Sequence, residues 1–334
     1  MSNKNHLKKV SLEIGSGGKL MKEFISREII TLFKNEILDE LHDSALLPEN
    51  FAFTTDSYVV DPIFFPGGDI GTLCVNGTVN DLIVSGAKPL YITLALILEE
   101  GFSLIDLRKI LNSIRRSAKK ANVKIVSGDT KVVKKGQGDK IYINTSGLGI
   151  LIARPRIKEI KPGDKIIVTG NLGEHALSIM LARGDFGLEA PIKSDCAPLN
   201  FLLPLWEKGV LWMRDITRGG LATVLNELVE ELPYSCIIYE EKLPLSPPVK
   251  GATEILGIDP LYLACEGRAV IITEDNKASS ILKEIKKNEL GKDASIIGEI
   301  SEKFGKPGEL LLKTLSGGWR LLEPLTSELL PRIC

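Results

Sequence analysis

Pro66-Gly67-Gly68-Asp69-Ile70-Gly71-Thr72-Leu73-Cys74-Val75-Asn76-Gly77-Thr78-Val79-Asn80-Asp81-Leu82-Ile83-Val84-Ser85 is the stretch on which the reading of this chain turns. Its opening Pro-Gly-Gly-Asp reads as loop, because proline and glycine punctuate regular structure. From about Ile70 to Ser85 the residues predict a helix, and Asn80-Asp81 sits inside its apolar run. A carboxylate there is costly to bury unless it is paired or coordinates a cation.

Upstream, Phe51 to Val60 is β-rich and partly alternating, a predicted strand that carries Asp56. Further back, Ile14-Gly15-Ser16-Gly17-Gly18 precedes a predicted helix from about Leu20 to Leu41. A glycine-rich turn opening a helix exposes backbone N–H groups that suit a phosphate. The run is neither Gly-x-Gly-x-x-Gly nor a P-loop, and a flexible N-terminal hinge reads it equally well. Downstream come a strand (Leu90 to Leu98), an amphipathic helix (Ser103 to Asn122) and a strand from Val123 to Ser127. That last strand ends in Gly128-Asp129-Thr130-Lys131, and another, Lys140 to Ile152, is interrupted by Asn144 and Thr145.

Four acids of this half, Asp56, Asp69, Asp81 and Asp129, fall at strand ends, in loops or in an apolar helix. Singly, each is a turn or cap aspartate. Together, beside glycine-rich turns and almost no histidine, they suggest a site for a hard cation. Oxygen ligands without imidazole or thiolate suit Mg²⁺ shared with substrate phosphates.

The chain becomes charged and loop-like around Lys158 to Asp164, which sets the predicted domain boundary. The second half restarts with a strand at Lys165 to Thr169 and a glycine turn before a helix, with Glu174 and His175 at that turn. Asp215-Ile216-Thr217-Arg218-Gly219-Gly220 then precedes a helix from Leu221 to Glu231, whose first turn suits an ion. Leu261 to Cys265 leads into Glu266-Gly267-Arg268 and a strand at Ala269 to Thr273. Grouped strands and helices of this kind read as α/β or α+β, and periodicity alone leaves both open.

The 334 residues suggest two domains, and 44% apolar with 25% charged residues is ordinary for a globular protein. A net charge of −1 gives no electrostatic case for nucleic acid or an anionic membrane. No signal peptide or membrane span is read from the pattern. Five scattered cysteines, an odd number with no Cys-x-x-Cys pair, point to a reducing cytoplasm and away from disulfides or structural zinc. The fifth is the last residue of Pro331-Arg332-Ile333-Cys334, where a thiol stands beside Arg332 and the terminal carboxylate. The cation favours the thiolate and the carboxylate opposes it.

Taken together, Gly15-Ser16-Gly17-Gly18, Thr54-Thr55-Asp56-Ser57-Tyr58, Phe64 to Gly71, Asn80-Asp81, Gly128 to Val133, Asp215 to Gly220, Glu266-Gly267 and the terminal tetrapeptide resemble the HypE family. These are the carbamoyl dehydratases of NiFe-hydrogenase maturation, in the ATP-using superfamily of aminoimidazole ribonucleotide synthetase, selenophosphate synthetase and thiamine-monophosphate kinase. The resemblance covers nearly the whole chain; the terminal tetrapeptide and the Gly-Asp-Thr-Lys-Val run are its family-specific part. It implies an N-terminal α/β domain (1–155) that dimerises through its sheet, a C-terminal α+β domain (156–316) and a mobile tail (317–334) starting at Gly317-Gly318.

It further implies ATP and Mg²⁺ in the cleft between domains, with Asp56, Asp69, Asp81 and Asp215 matching the metal-binding aspartates. Gly15, Ser16, Gly17, Gly18, Asn80, Asp129, Thr130 and Asn144 fall where nucleotide contacts are expected. HypF would carbamoylate Cys334, the chain would dehydrate the product to a thiocyanate, and a HypC–HypD complex would take the cyanide for iron. Glu266 is the first candidate for the base, Lys131 for orienting the carboxamide or stabilising its phosphorylated oxygen, and His175 is a further candidate. The chain departs from the family pattern at Cys265 and Arg268, where asparagine and lysine are expected. Two other readings are a superfamily kinase or synthetase acting on a free small molecule, and a nucleotide-gated carrier without catalysis.

Overall fold

A computed structural model describes residues 10–11, 14, 18–40, 43–184, 186–325 and 332–334, and the architecture below refers to these. The first helical stretch is α1 (Gly18–Phe24), which passes through a wider turn at Ile25–Ile30 into α2 (Thr31–Phe33). It stops at Lys34, whose backbone turns extended (ψ 124°), short of the Leu41 read from the sequence.

The first half of the fold contains β1 (Ala45–Leu46), β2 (Phe51–Tyr58), the small hairpin β3 (Phe64–Phe65) and β4 (Gly68–Asp69), and α3 (Ile70–Val84). It continues with β5 (Ala87–Glu99), α4 (Leu104–Ala121), β6 (Lys124–Val133) and β7 (Ile141–Leu151). Five strands form one sheet in the order β1-β2-β7-β5-β6, antiparallel except for the β5–β6 pair. The parallel pair needs a crossover, and α4 supplies it. Ser103 caps α4 by accepting from the Asp106 N–H, and Asn122 ends it in the left-handed conformation that asparagine tolerates.

Helix α3 explains why its sequence is apolar all round: it is buried on nearly every side. One side covers the sheet, where Tyr58 meets Thr78 and Thr145 meets both Thr78 and the Cys74 carbonyl. The other faces the second half, where Trp206 Nε1 donates to the Ile83 carbonyl at 3.0 Å. The opposite face of the sheet is uncovered, with Phe51, Phe53, Tyr91, Ile97 and Ile150 exposed around a polar centre of Thr55, Ser57, Asn144 and Ser146.

The second half comprises β8 (Lys165–Val168), α5 (Glu174–Arg183), β9 (Val210–Asp215), α6 (Gly220–Glu230), β10 (Ser235–Tyr239) and α7 (Pro247–Leu256). After these come β11 (Ala269–Thr273), α8 (Asp275–Ile285), β12 (Ser295–Ser301), β13 (Leu310–Lys313) and β14 (Trp319–Leu321). Seven strands pair in the order β14-β13-β10-β12-β8-β11-β9, with only β10–β13 parallel. Alternate residues enter two different cores: Ile166 and Val168 of β8 join the cluster under α6, while Ile167 joins the one under α5 and α8. The latter cluster continues through α3 and α4, so the halves share one core across the predicted boundary.

Two sequence readings change. Gly128-Asp129-Thr130-Lys131 does not end a strand but lies within β6, because parallel pairing with β5 runs on to Val133. Gly317-Gly318, read as a hinge, is the turn of the β13–β14 hairpin, with Gly317 at φ +86° and Leu322 buried beyond it. The last three residues are held against the body of the protein.

Candidate active site

Four acids from four separate segments converge where the two halves meet. Asp56 shares with Thr54 and Tyr58 the face of β2 that packs on α3, Asp81 comes from α3, and Asp215 ends β9. Asp43 joins them from the segment before β1; its carboxylate pairs with Arg214 at 2.9 Å. Burial pushes Asp215 up to about 8, with Asp43 and Asp56 adding to the rise and Arg214 opposing it. Asp81 is raised by burial and by Asp215, Asp56 and Asp43, although Thr54 donates to its Oδ2 at 2.8 Å. Asp56 is raised by burial and relieved by Arg218. Buried carboxylates that repel one another form a site short of positive charge. Among the described residues no three acidic, His or Cys groups close a metal cage by themselves. A Mg²⁺ ion here would take its remaining oxygens from phosphate and water, as that ion usually does.

Glu266 stands beside this group and is 5% exposed. Burial raises its carboxyl well above the ordinary range; Asp215, Asp56 and Asp195 add to that, and Arg218 works against it. Its backbone is fixed at both ends: the N–H donates to Asp195 Oδ1 (3.2 Å) and the carbonyl accepts from Asn80 Nδ2 (3.2 Å). Arg268 braces the same corner, its guanidinium reaching Glu174 and Asp195, so this departure from the expected lysine has a structural use.

A cavity of about 880 Å³ opens next to the carboxylates, between α1 and α6. Lys19, Lys22 and Arg218 line it with Thr217, Thr223 and Asp43. Gly219 and Gly220 take positive φ (+78° and +64°), which lets the chain turn sharply into α6, with no side chain capping its first N–H groups. Thr223 Oγ1 is buried with no partner among the described residues. Uncapped N–H groups, an unpaired hydroxyl and several cations suit a polyphosphate, and the volume suits a nucleotide. Gly18, the last of the glycine run, starts α1; Gly15, Ser16 and Gly17 lie outside the described residues.

The terminal residues dock as a short antiparallel addition to the segment after β2. Val59 N–H donates to a backbone oxygen of Cys334 (3.1 Å) and Asp61 N–H to the Arg332 carbonyl (3.2 Å). Arg332, at φ +58°, sends its guanidinium to the Val59 carbonyl and to Asp139. The Ile333 side chain is 2% exposed, a burial that contributes roughly 1.5–3 kcal/mol to docking. His175 Nε2 lies 2.7 Å from the Ile333 carbonyl, and Nδ1 lies 2.8 Å from Ser194 Oγ. A carbonyl only accepts, so Nε2 carries the proton and Nδ1 accepts from Ser194. Burial lowers the pKa of His175, which favours this neutral form. His175 therefore holds the terminus in place here.

The remaining candidates divide. Asp69 caps α3 through the Thr72 N–H (2.8 Å) and receives Ser113 of α4. Asn80 ties α3 to the Ala197, Leu199 and Glu266 backbones. Asp129 and Lys131 pair with each other at 2.9 Å on exposed β6, with Thr130 between them. Strand register aligns Asp129 with Ala95 and Asn144, whose amide bonds Ser57 on the open face of the sheet. Within one chain these residues do not meet Glu266. Sequence reading missed Asp43, Arg214 and Asp195. Arg214 flanks Asp215, but nothing in the sequence marks the other two.

Comparison with known proteins adds four findings. The AIR synthase related protein profiles match residues 41–151 (N-terminal domain) and 161–307 (C-terminal domain). The chain is 42% identical to carbamoyl dehydratase HypE of Rhodobacter capsulatus over 98% of both chains. The crystal structure of a HypE–HypF complex superposes with a TM-score of 0.85 at 45% identity, covering 90% of this chain and 99% of that one. A HypE crystal structure in complex with ATP superposes with a TM-score of 0.82 at 40% identity, covering 98% and 100%.

Proposed function

The chain belongs to the AIR synthase-related family, in its HypE carbamoyl dehydratase branch, and we propose that it converts an S-carboxamide on its own Cys334 to a thiocyanate with ATP. The observation that carries this reading is the docked terminus: the chain binds its own Arg332-Ile333-Cys334 backbone beside β2, the strand that bears Asp56. An enzyme for a free small molecule has no need of such a dock.

The nucleotide fits the cavity between α1 and α6, and Asp56, Asp81 and Asp215 would hold Mg²⁺ at its edge. Asp69, in this reading, supports the group from the α3 cap. Bound ATP would supply the phosphoryl group that makes the carboxamide oxygen a good leaving group, with charge neutralised by Mg²⁺. Glu266 takes a proton from the carboxamide nitrogen; its buried, acid-rich surroundings give it the high proton affinity a base needs. The dock fixes the backbone of residues 332–334, so the thiol is presented in one register. His175 is a positioning residue.

Pairing of two chains through the open sheet face would cover Phe51, Phe53 and Tyr91, and a homodimer is part of this proposal. Lys131, Asp129 and Asn144 then lie at that interface, with Thr130 on the other face of the same strand. HypF is the proposed carbamoyl donor, since a relative forms a complex with HypF. A HypC–HypD complex is the proposed acceptor of the cyanide. Among the described residues no helix is long and apolar enough to cross a membrane, and the proposed setting is the cytoplasm.

The substrate on the arm sets a stoichiometry. S-carbamoylated protein mixed with ATP and Mg²⁺ should release about one phosphate per chain and then stop. Continued release on adding a small molecule to uncarbamoylated protein would favour a free substrate. Asp81→Asn should weaken Mg²⁺-ATP binding about tenfold or more by calorimetry, since one charged ligand is lost. Unchanged affinity removes Asp81 from the site.

A further inference from the structure

Asn76 and Asn80 lie one turn apart on α3, and both are buried, at 2% and 1% exposure. Asn80 is fully employed: Nδ2 donates to the Ala197 and Glu266 carbonyls and Oδ1 accepts from the Leu199 N–H. Asn76 is not. Its Nδ2 lies 3.4 Å from Cys196 Sγ, and Oδ1 has no partner among the described residues. Whichever way round the amide is set, one end faces the thiol and the other is unpaired. A buried polar group left unpaired is unfavourable and calls for an explanation.

The surroundings of Asn76 connect to the docked terminus from two directions. On one side, Gly77 packs so closely on Tyr58 that an added methyl would strike its hydroxyl, and the neighbouring Val59 bonds Cys334. On the other, Cys196 N–H donates to Ser194 Oγ, which meets His175, which holds Ile333. Glu266 is close enough to Cys196 to help raise its thiol. Asn76 is thus linked through Cys196 to the proposed base and, by way of Ser194 and His175, to the end of the chain, with an acceptor to spare.

We propose that Asn76 Oδ1 accepts a hydrogen bond from the NH₂ group of the S-carboxamide on Cys334. This inference rests on the functional reading above. The bond orients the carboxamide so that its oxygen faces the nucleotide and its nitrogen faces Glu266. In the overall change the C–O bond breaks, the oxygen leaves on the phosphate, and the two nitrogen protons pass through the base to phosphate or solvent. Asn76 exchanges no proton; it is a positioning residue that recognises an N–H donor. A free thiol offers Asn76 no such group, so the site distinguishes a loaded arm from an empty one.

The test compares wild type, Asn76→Leu and Cys196→Ala as full chains carrying S-carbamoylated Cys334, given ATP and Mg²⁺ in a single turnover. Loss of one water from the terminal peptide is followed by mass, and melting temperature with and without ATP checks folding and nucleotide binding. Asn76→Leu should lose water about tenfold to hundredfold more slowly, with the ATP-induced rise in melting temperature retained. Cys196→Ala should keep the wild-type rate, because the thiol serves only the other end of the amide. Carbamoylation should shift the melting temperature of wild type and leave that of Asn76→Leu unmoved. Should the leucine variant fail to fold, Asn76→Ser carries the same comparison. Equal rates in wild type and the Asn76 variant, or an equal loss in Cys196→Ala, overturn the assignment while leaving the functional reading intact. A wild-type protein that loses no water overturns both.

Discussion

Replacing Cys334 with serine is expected to abolish thiocyanate formation while ATP affinity stays unchanged. The argument rests on where the terminal contacts fall. The docking bonds to residues 332–334 use the backbone oxygens of Arg332, Ile333 and Cys334 and the Arg332 guanidinium, and the buried anchor is the Ile333 side chain. Serine preserves all of these. The nucleotide cavity is lined by other segments, so its affinity has no reason to change. What serine removes is the sulfur that carries the carboxamide. Phosphate release from HypF-treated protein and calorimetric ATP binding measure the two sides separately. Retained phosphate release by the Cys334→Ser protein would return the tail to an incidental feature and favour a free small-molecule substrate.

Glu266→Gln is expected to slow dehydration of pre-carbamoylated protein by about 10²–10⁴-fold, the range associated with loss of a general base. The substitution is conservative here for a specific reason: both hydrogen bonds recorded for Glu266, to Asp195 and to Asn80, use its main chain. Glutamine keeps the shape and removes a buried acid. It also relieves repulsion with Asp215, Asp56 and Asp195, so thermal stability should hold or rise while the rate falls. Single-turnover mass analysis and a melting curve check both expectations. A full rate with higher stability would mean that Glu266 is only a strained neighbour of the carboxylates.

Much of this was legible in the sequence, for identifiable reasons. Helix α3 announced itself by being apolar all round with an acid inside, and it is the element buried between the two halves. The Asp215-to-Gly220 run announced a sharp turn into a helix, and its two glycines do take left-handed φ. Local patterns of this kind survive folding because they are set by neighbours in the chain. Long-range pairings were not legible. That Arg214 answers Asp43 depends on how β9 is placed beside the segment before β1. That His175 serves the Ile333 carbonyl depends on a contact spanning 158 positions. A histidine at a helix start carries no mark of a partner so distant.

The strand β6 shows a different limit. Gly128-Asp129-Thr130-Lys131 has the composition of a turn, and pairing with β5 overrides that preference. The Gly317-Gly318 pair marks a bend, and a hairpin turn and a hinge place the same demand on glycine. Tertiary pairing separates the two, and no local signal does so.

The measurement that bears most directly on the central claim is the intact mass of the terminal peptide from S-carbamoylated protein given either ATP or a non-hydrolysable analogue. Loss of one water with ATP alone, on the fragment that ends in Cys334, is the predicted result. No loss with ATP, or the same loss with both nucleotides, would contradict an ATP-dependent dehydration carried out on the chain's own end.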